Sequence, residues 1–404
     1  MRSSILFLGP SFMETRGGAP IRGVQLFDMH LVRELVGLGH SVTVVAERSW
    51  RRRLEEAFGA VVGAGGSGGA RAGSLEVAWT PNLRKPIWNG LWALAGLGIR
   101  RRRFDRLVVG NISRGIGPIA ERVIKMGLAP AGVVIAHKGG HPGIYAPFRR
   151  ARLEVLAINP LIASQCVEWP VRVMIRYGVA NADAFFPPDD WPGRLGREAT
   201  PERPVRIVVL GKLDTPWKGA AEAIEAVRRL PGQDRARVEL HLASYAVPPE
   251  IEAGVPVVVY PWLDASEIPG LVRTMDAMLV PSLSERETFS QAIVQGMLTG
   301  LPIVASDVPV LAEKLDAGGG VTFERAGDVP GQLTALIADR VIGDPGWRVS
   351  AGQAARRTAV ERYVWDSAWF SEEFLGGEMA SGRRHRIPGT GHRAPGGGAG
   401  RSGA

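Results

Sequence analysis

Two lysines, Lys212 and Lys218, stand six positions apart in the stretch Leu210-Gly211-Lys212-Leu213-Asp214-Thr215-Pro216-Trp217-Lys218-Gly219. They flank the turn from an apolar run into a helix expected to begin near Lys218. Both ammonium groups can converge on a phosphate or diphosphate, and the glycines expose backbone amides that add donors. Two solvated surface lysines are the alternative. A second polar loop, Pro281-Ser282-Leu283-Ser284-Glu285-Arg286-Glu287-Thr288-Phe289-Ser290, leads into a helix expected to start at residues 288–290. The free N–H groups of such a start can take a diphosphate. Glu287, just before it, can accept hydrogen bonds from sugar hydroxyls, and Gln295, further along, can bond a ribose. Otherwise Glu287 is a helix-start carboxylate stabilised by the dipole, and Gln295 a plain polar residue.

Loops of this kind need a sheet beneath them, because ligands of doubly wound sheets bind at the carboxyl ends of strands. The second half supplies strand candidates at 205–210, 238–242, 255–260, 277–280 and 302–305, with helices starting near 218, 265, 289 and 308. The first half has its own set at 4–8, 41–45, 107–109, 133–136 and 155–158. After the first of these come a Gly17-Gly18 loop and a helix with Val24, Phe27, Leu31 and Leu35 at helical spacing. Strand, glycine loop, helix, strand is a βαβ unit. The organisation read from this is an N-terminal Rossmann-like domain at 1–187 and a Pro/Gly-rich linker at 188–203. A second Rossmann-like domain follows at 204–356, then a C-terminal helix at 357–377 packing back toward the first domain. The basic tail at 378–404 has too little apolar surface to order. Residues 60–73, nearly all Gly, Ala, Ser and Val, read as a surface loop or a short strand around Val61-Val62.

The chain has 404 residues, 45% hydrophobic and 22% charged, which excludes a collagenous, fully disordered or disulfide-built protein. Cys166 is the single cysteine, so no internal disulfide forms and a reducing, cytoplasmic compartment is expected. No apolar window reaches the ~18 residues of a membrane-spanning helix, and the run 5–8 is too short for a signal peptide. The net charge of +9 is uneven: +11 over residues 1–190, −6 over 191–376 and +4 over the remainder. A basic first half suggests a polyanionic surface as partner. Residues 86–99, apolar with Trp88 and Trp92, are bracketed by Arg84-Lys85 and Arg100-Arg101-Arg102-Arg103. Residues 84–103 therefore suit peripheral docking on an anionic membrane; a core-packed helix with a basic end is the alternative.

In the second half, Gly211-Lys212 with Lys218-Gly219, Glu287-Thr288-Phe289-Ser290, and the run 300–307 followed by Glu313 stand in a fixed order, with Tyr363-Val364-Trp365 in the last helix. This set resembles the donor-binding domain of retaining GT-B glycosyltransferases, specifically glycosyltransferase family 4. The stretch from Tyr177 to Pro187 resembles that family's Asn-Gly-Val-Asp…Phe-x-Pro signature. Four positions depart from the pattern: Gln295 replaces a glutamate, Lys212 an arginine, and Tyr177 and Ala180 an Asn and an Asp. The resemblance implies an α/β GT-B fold, two Rossmann-like domains facing a central cleft. It implies metal-independent transfer of a hexosyl group, with retention, from a UDP-, GDP- or ADP-linked sugar to a glycan, lipid-linked or small-molecule acceptor. Neither a cofactor nor a metal site is expected. The donor would be bound by Gly17, Gly18, Lys212, Lys218, Glu287, Thr288, Phe289, Ser290 and Gln295. Catalysis would fall to His137, Glu287 and Lys218. His137, directly after strand 133–136, resembles the family's histidine near the donor sugar, with His141 a weaker competitor.

Three other readings stay open. A sugar-nucleotide epimerase or phosphorylase shares the fold, and a transferase that binds without turnover is compatible with Gln295. A dinucleotide dehydrogenase lacks its Gly-x-Gly-x-x-Gly after the first strand. A non-catalytic nucleic-acid-binding protein would explain the arginine runs at 51–53 and 100–103, but no nucleic-acid module is present and none is expected to bind.

Overall fold

The structure, a computed structural model, describes residues 2–14, 23–59, 73–81, 91–92, 94–97, 102–137, 142–166, 168–169, 171–179, 181–245, 254–261 and 263–375. Gly17, Gly18, His141, the glycine-rich run 60–72 and the tail 378–404 lie outside these residues.

Apolar, β-branched runs form two wholly parallel sheets. The first contains β1 (Ser4–Leu8), β2 (Ser41–Glu47), β3 (Ser74–Thr80), β4 (Arg106–Val109), β5 (Gly132–Ala136), β6 (Glu154–Ala157) and β7 (Val173–Ile175), in the order β3-β2-β1-β4-β5-β6-β7. The second contains β8 (Val205–Leu210), β9 (Val238–Tyr245), β10 (Val257–Pro261), β11 (Ala277–Val280), β12 (Ile303–Ser306) and β13 (Gly320–Phe323), in the order β10-β9-β8-β11-β12-β13. Helices cover both faces of such sheets, so the central strands are apolar along their length rather than alternating. β3, β7 and β13 were not among the expected strands. All three are sheet edges, where one side lacks a neighbour and the apolar pattern is diluted.

Strand order reverses between β1 and β4 and again between β8 and β11. Each reversal opens a crevice at the strand carboxyl ends. A cavity of about 680 Å³ is lined by His30, Arg33, Arg53 and Asp183 of the first domain and by Asp264 of the second.

The single C-terminal helix expected at 357–377 is corrected. One helix runs from Pro345 to Arg362 and a second starts at Ser367. Tyr363, Val364 and Trp365 therefore lie between helices. Val179 N donates to Tyr363 O (2.7 Å) and Trp365 N to Val179 O (3.2 Å), so this tripeptide spends its backbone groups on the first domain. Gly178 allows the approach, since a Cβ there would stand 2.3 Å from the Val364 carbonyl carbon. The chain end then packs on the first sheet: Ser3 Oγ donates to Leu375 O (2.9 Å) and Arg106 Nε to Phe374 O (3.2 Å). Residues 188–203 are fastened to the second domain through Trp191 Nε1 to Gly300 O (3.0 Å) and Arg194 to Met275 O (2.6 Å).

One hydrophobic core runs from the first sheet into the second domain, taking in Trp365, Phe289, Ile293 and Leu311. A separate core lies on the other face of the second sheet around Ile207, Leu240 and Leu279.

Candidate active site

β8 delivers the chain to Gly211 and exposed Lys212, then to a tight turn over Pro216–Lys218. The following helix spans Ala220–Arg229, so it begins after Lys218 rather than at it. Gly219 is the reason: its φ of 75° is left-handed, and a Cβ there would stand 1.9 Å from Pro281 O. Only glycine lets this turn lie against the end of β11, where Leu283 N donates to Trp217 O (2.7 Å). The close approach brings Lys218 to the loop after β11. Its Nζ donates to Glu287 Oε2, with both side chains largely buried. Ser282 Oγ lies 3.4 Å from the same oxygen, and the Lys218 ammonium sits 4.7 Å from the Trp217 ring. Ser306 Oγ, at the end of β12, donates to Ser282 O and fixes the loop from below. Lys212 remains apart from this pair, in solvent.

The next three residues meet the first domain. Thr288 Oγ1 donates to His137 O (3.2 Å), and Asn159 Nδ2 donates to Thr288 O (2.6 Å). The Phe289 ring stands edge-on to Tyr177 at 4.5 Å. Ser290 takes φ 58°, which interrupts helical geometry. The helix therefore spans Gln291–Leu298, and its free amides belong to the turn after Ser290 rather than to 288–290. Gln291 Nε2 donates to the Tyr177 hydroxyl (3.3 Å). Gln295 is buried one turn along.

His137 follows β5 and is buried, with Phe27 at 5.1 Å and Tyr177 at 4.9 Å, both edge-on. A backbone hydrogen bond to Gly110 engages the ring, yet desolvation dominates and pushes its pKa down to about 3. The ring is neutral throughout the physiological range, and Nε2 has no partner among the described residues. A neutral imidazole there can orient a polar group but is too weak an acid to protonate one.

Three residues at this centre were missed in the sequence. Asp28, fully buried, lies where Cβ atoms on Gly110 and Gly9 would stand 2.2 and 3.1 Å from its oxygens. Its signal was a carboxylate inside the apolar stripe Val24, Phe27, Leu31, Leu35. Tyr177, noted only as a departure from a signature, is the ring on which His137, Phe27 and Phe289 converge. Lys314 is buried on the helix Pro309–Leu315, in step with Leu311 and Leu315.

Residues 204–339 match the model of the family Glycosyl transferases group 1, a span holding Lys212, Lys218, Glu287 and Gln295. An MMP alpha-(1->4)-mannosyltransferase from Mycolicibacterium hassiacum is 31% identical over 171 residues, which cover 40% of this chain and 40% of that enzyme. Over nearly the whole chain the structure resembles a glycosyltransferase from Rickettsia africae, with TM-score 0.67, 15% identity and coverage of 93% of this chain and 99% of that one. It also resembles Anabaena HepE in complex with UDP-glucose, with TM-score 0.61, 16% identity and coverage of 92% and 97%. The chain has the GT-B fold: two parallel α/β domains across a cleft.

Proposed function

We propose that the protein is a group 1 glycosyltransferase that moves a hexosyl unit from a nucleotide-diphosphate sugar to an acceptor with retention of configuration. The Lys218–Glu287 pair at the β8/β11 reversal, beside the start of helix Gln291–Leu298, carries the reading. Its position inside the family match supports it, as do the mannosyltransferase relative and the neighbour bound to UDP-glucose.

In the reaction the bond between the anomeric carbon and the diphosphate oxygen breaks, and the acceptor oxygen bonds to that carbon on the same face. The leaving phosphate takes the acceptor proton. Charge grows on the diphosphate, and Lys218, Lys212 and the first amides of helix Gln291–Leu298 are the groups to stabilise it. Without donor, Lys218 and Glu287 neutralise each other. An incoming diphosphate competes for the ammonium and releases the carboxylate to accept from sugar hydroxyls and to stabilise an oxocarbenium-like centre. His137 orients the sugar as a neutral ring. Gly17, Gly18, Thr288, Phe289, Ser290 and Gln295 complete the donor site. No step here needs a cofactor or a metal.

The acceptor belongs to the first domain, and a glycan or lipid-linked acceptor fits its basic character. Among the described residues no helix is long and apolar enough to cross a membrane. Within 84–103, Leu94 and Leu97 are buried while Trp92 is 52% exposed and Arg103 faces solvent. Trp92 and its neighbouring arginines would dock a cytoplasmic enzyme on an anionic inner leaflet. Flotation with anionic liposomes but not with neutral ones is expected.

The deciding experiment is a thermal-shift panel of UDP, GDP and ADP and their sugars. One nucleotide series should raise the melting temperature, by mass action on the folded state. No shift with any of them, alongside salt-sensitive RNA or DNA binding, would reverse the reading.

A further inference from the structure

Lys314 is 2% exposed, and among the described residues its single hydrogen bond is to Val310 O, one turn back on its own helix (3.0 Å). Its Nζ lies 4.5 Å from the centre of the Phe289 ring and 5.0 Å from that of Tyr363. These rings belong to different machinery. Phe289 follows Glu287 and Thr288 in the donor loop, while Tyr363 begins the tripeptide that bonds to Val179 of the first domain. A desolvated ammonium between two ring faces is a strong cation–π arrangement.

Burial also makes this placement costly. Desolvation pushes the Lys314 pKa down to about 8, against the raising influence of Glu313 and Glu287. An apolar side chain would fill the same space without that penalty, so the charge itself costs desolvation energy.

We infer that Lys314 is a positioning residue of the donor loop: its ammonium group clamps Phe289 against Tyr363, and so sets Glu287 and Thr288 relative to the first domain. The inference rests on the reading of residues 287–290 as donor-binding. The charged and titratable groups around it are Glu313 on its own helix, Glu287 on the loop and Tyr363 on the crossing. Tyr363 is pushed up to about 12 and stays neutral through the relevant range. Arg362 and Asp316 pair with each other beside it (3.1 Å).

The clamp has two consequences of opposite sign. As pH rises through 8 the folded protein loses the Lys314 proton while the unfolded chain, near 10.5, keeps it. Stability contributed by this residue therefore rises between pH 8 and 10.5. Over the same interval the clamp relaxes and the donor loop loosens.

The test compares the full-length protein with Lys314→Met and Lys314→Arg. Hydrogen exchange of peptides spanning 284–291 should be about tenfold faster in Lys314→Met at pH 7 and near normal in Lys314→Arg, the scale of one desolvated cation–π contact. The melting temperature of the wild type relative to Lys314→Met should climb from pH 8 to 10. The dissociation constant for whichever of UDP, GDP and ADP binds should rise about tenfold in Lys314→Met at pH 7, and in the wild type only above pH 8. Unchanged exchange in Lys314→Met, or a flat melting difference, overturns the inference. If none of the three nucleotides binds any variant, the donor reading fails, and exchange and melting still decide the clamp.

Discussion

In the proposed reaction Lys218 is the residue on which the chemistry turns, because this largely buried cation reaches the Glu287 carboxylate. Replacing it with alanine removes a preorganised donor to the departing diphosphate and leaves Glu287 without its ion pair. Steady-state kinetics of Lys218→Ala should show turnover reduced by ~10²–10³-fold. Near-normal turnover would remove Lys218 from the mechanism. His137 makes a prediction of a different kind. Its folded pKa, about 3, lies below the unfolded value of 6.5. Above pH 6.5 the ring is neutral in both states. As pH falls through 6.5 the unfolded chain takes up a proton that the folded protein refuses, so stability is lost toward pH 3, with a slope approaching ~1.4 kcal/mol per pH unit. Urea titrations of His137→Gln should lack that component. The pH–rate profile should show no limb between pH 5 and 8 that disappears with this substitution.

At the scale of elements, the site depends on turns that break helices early. Gly219 and Ser290 both adopt left-handed backbone, and each ends a loop that carries a proposed ligand group. Gly219→Ala puts a methyl group on Pro281 O and strains φ as well. It should cost roughly 1–3 kcal/mol in denaturant melts and displace Lys218 from Glu287, so activity should fall more than stability alone explains. Thr288→Val deletes the hydroxyl that donates to His137 O. About 1 kcal/mol of stability should be lost, and the Michaelis constant for the donor should rise if this contact sets the loop against β5.

Across the whole molecule, the domains share one core, and its seam is aromatic. Trp365 stands 4.8 Å from Phe27 and 5.3 Å from Phe370, joining the crossing tripeptide to the helix Gly23–Gly37 and to the chain end. Trp365→Ala should destabilise by ~3–5 kcal/mol, and calorimetry should show one transition in the wild type and two in the variant as the halves uncouple. A variant that still melts in one transition at the wild-type temperature would show that the seam does not couple the domains.

The central strands, the helix Gly23–Gly37 and the loops carrying Lys218 and Glu287 were legible in the sequence, because buried parallel strands are continuous apolar runs and glycine marks the turns between them. Local pattern reaches that far and no further. The break at 363–366 comes from Val179, 185 positions away, competing for backbone hydrogen bonds that helix propensity alone would have kept within one helix. The neutrality of His137 and the burial of Lys314 likewise depend on which side chains exclude water around them. The chain's order chose its sheets; only folding decided which charges would lose their solvent, because desolvation is set by neighbours distant in sequence.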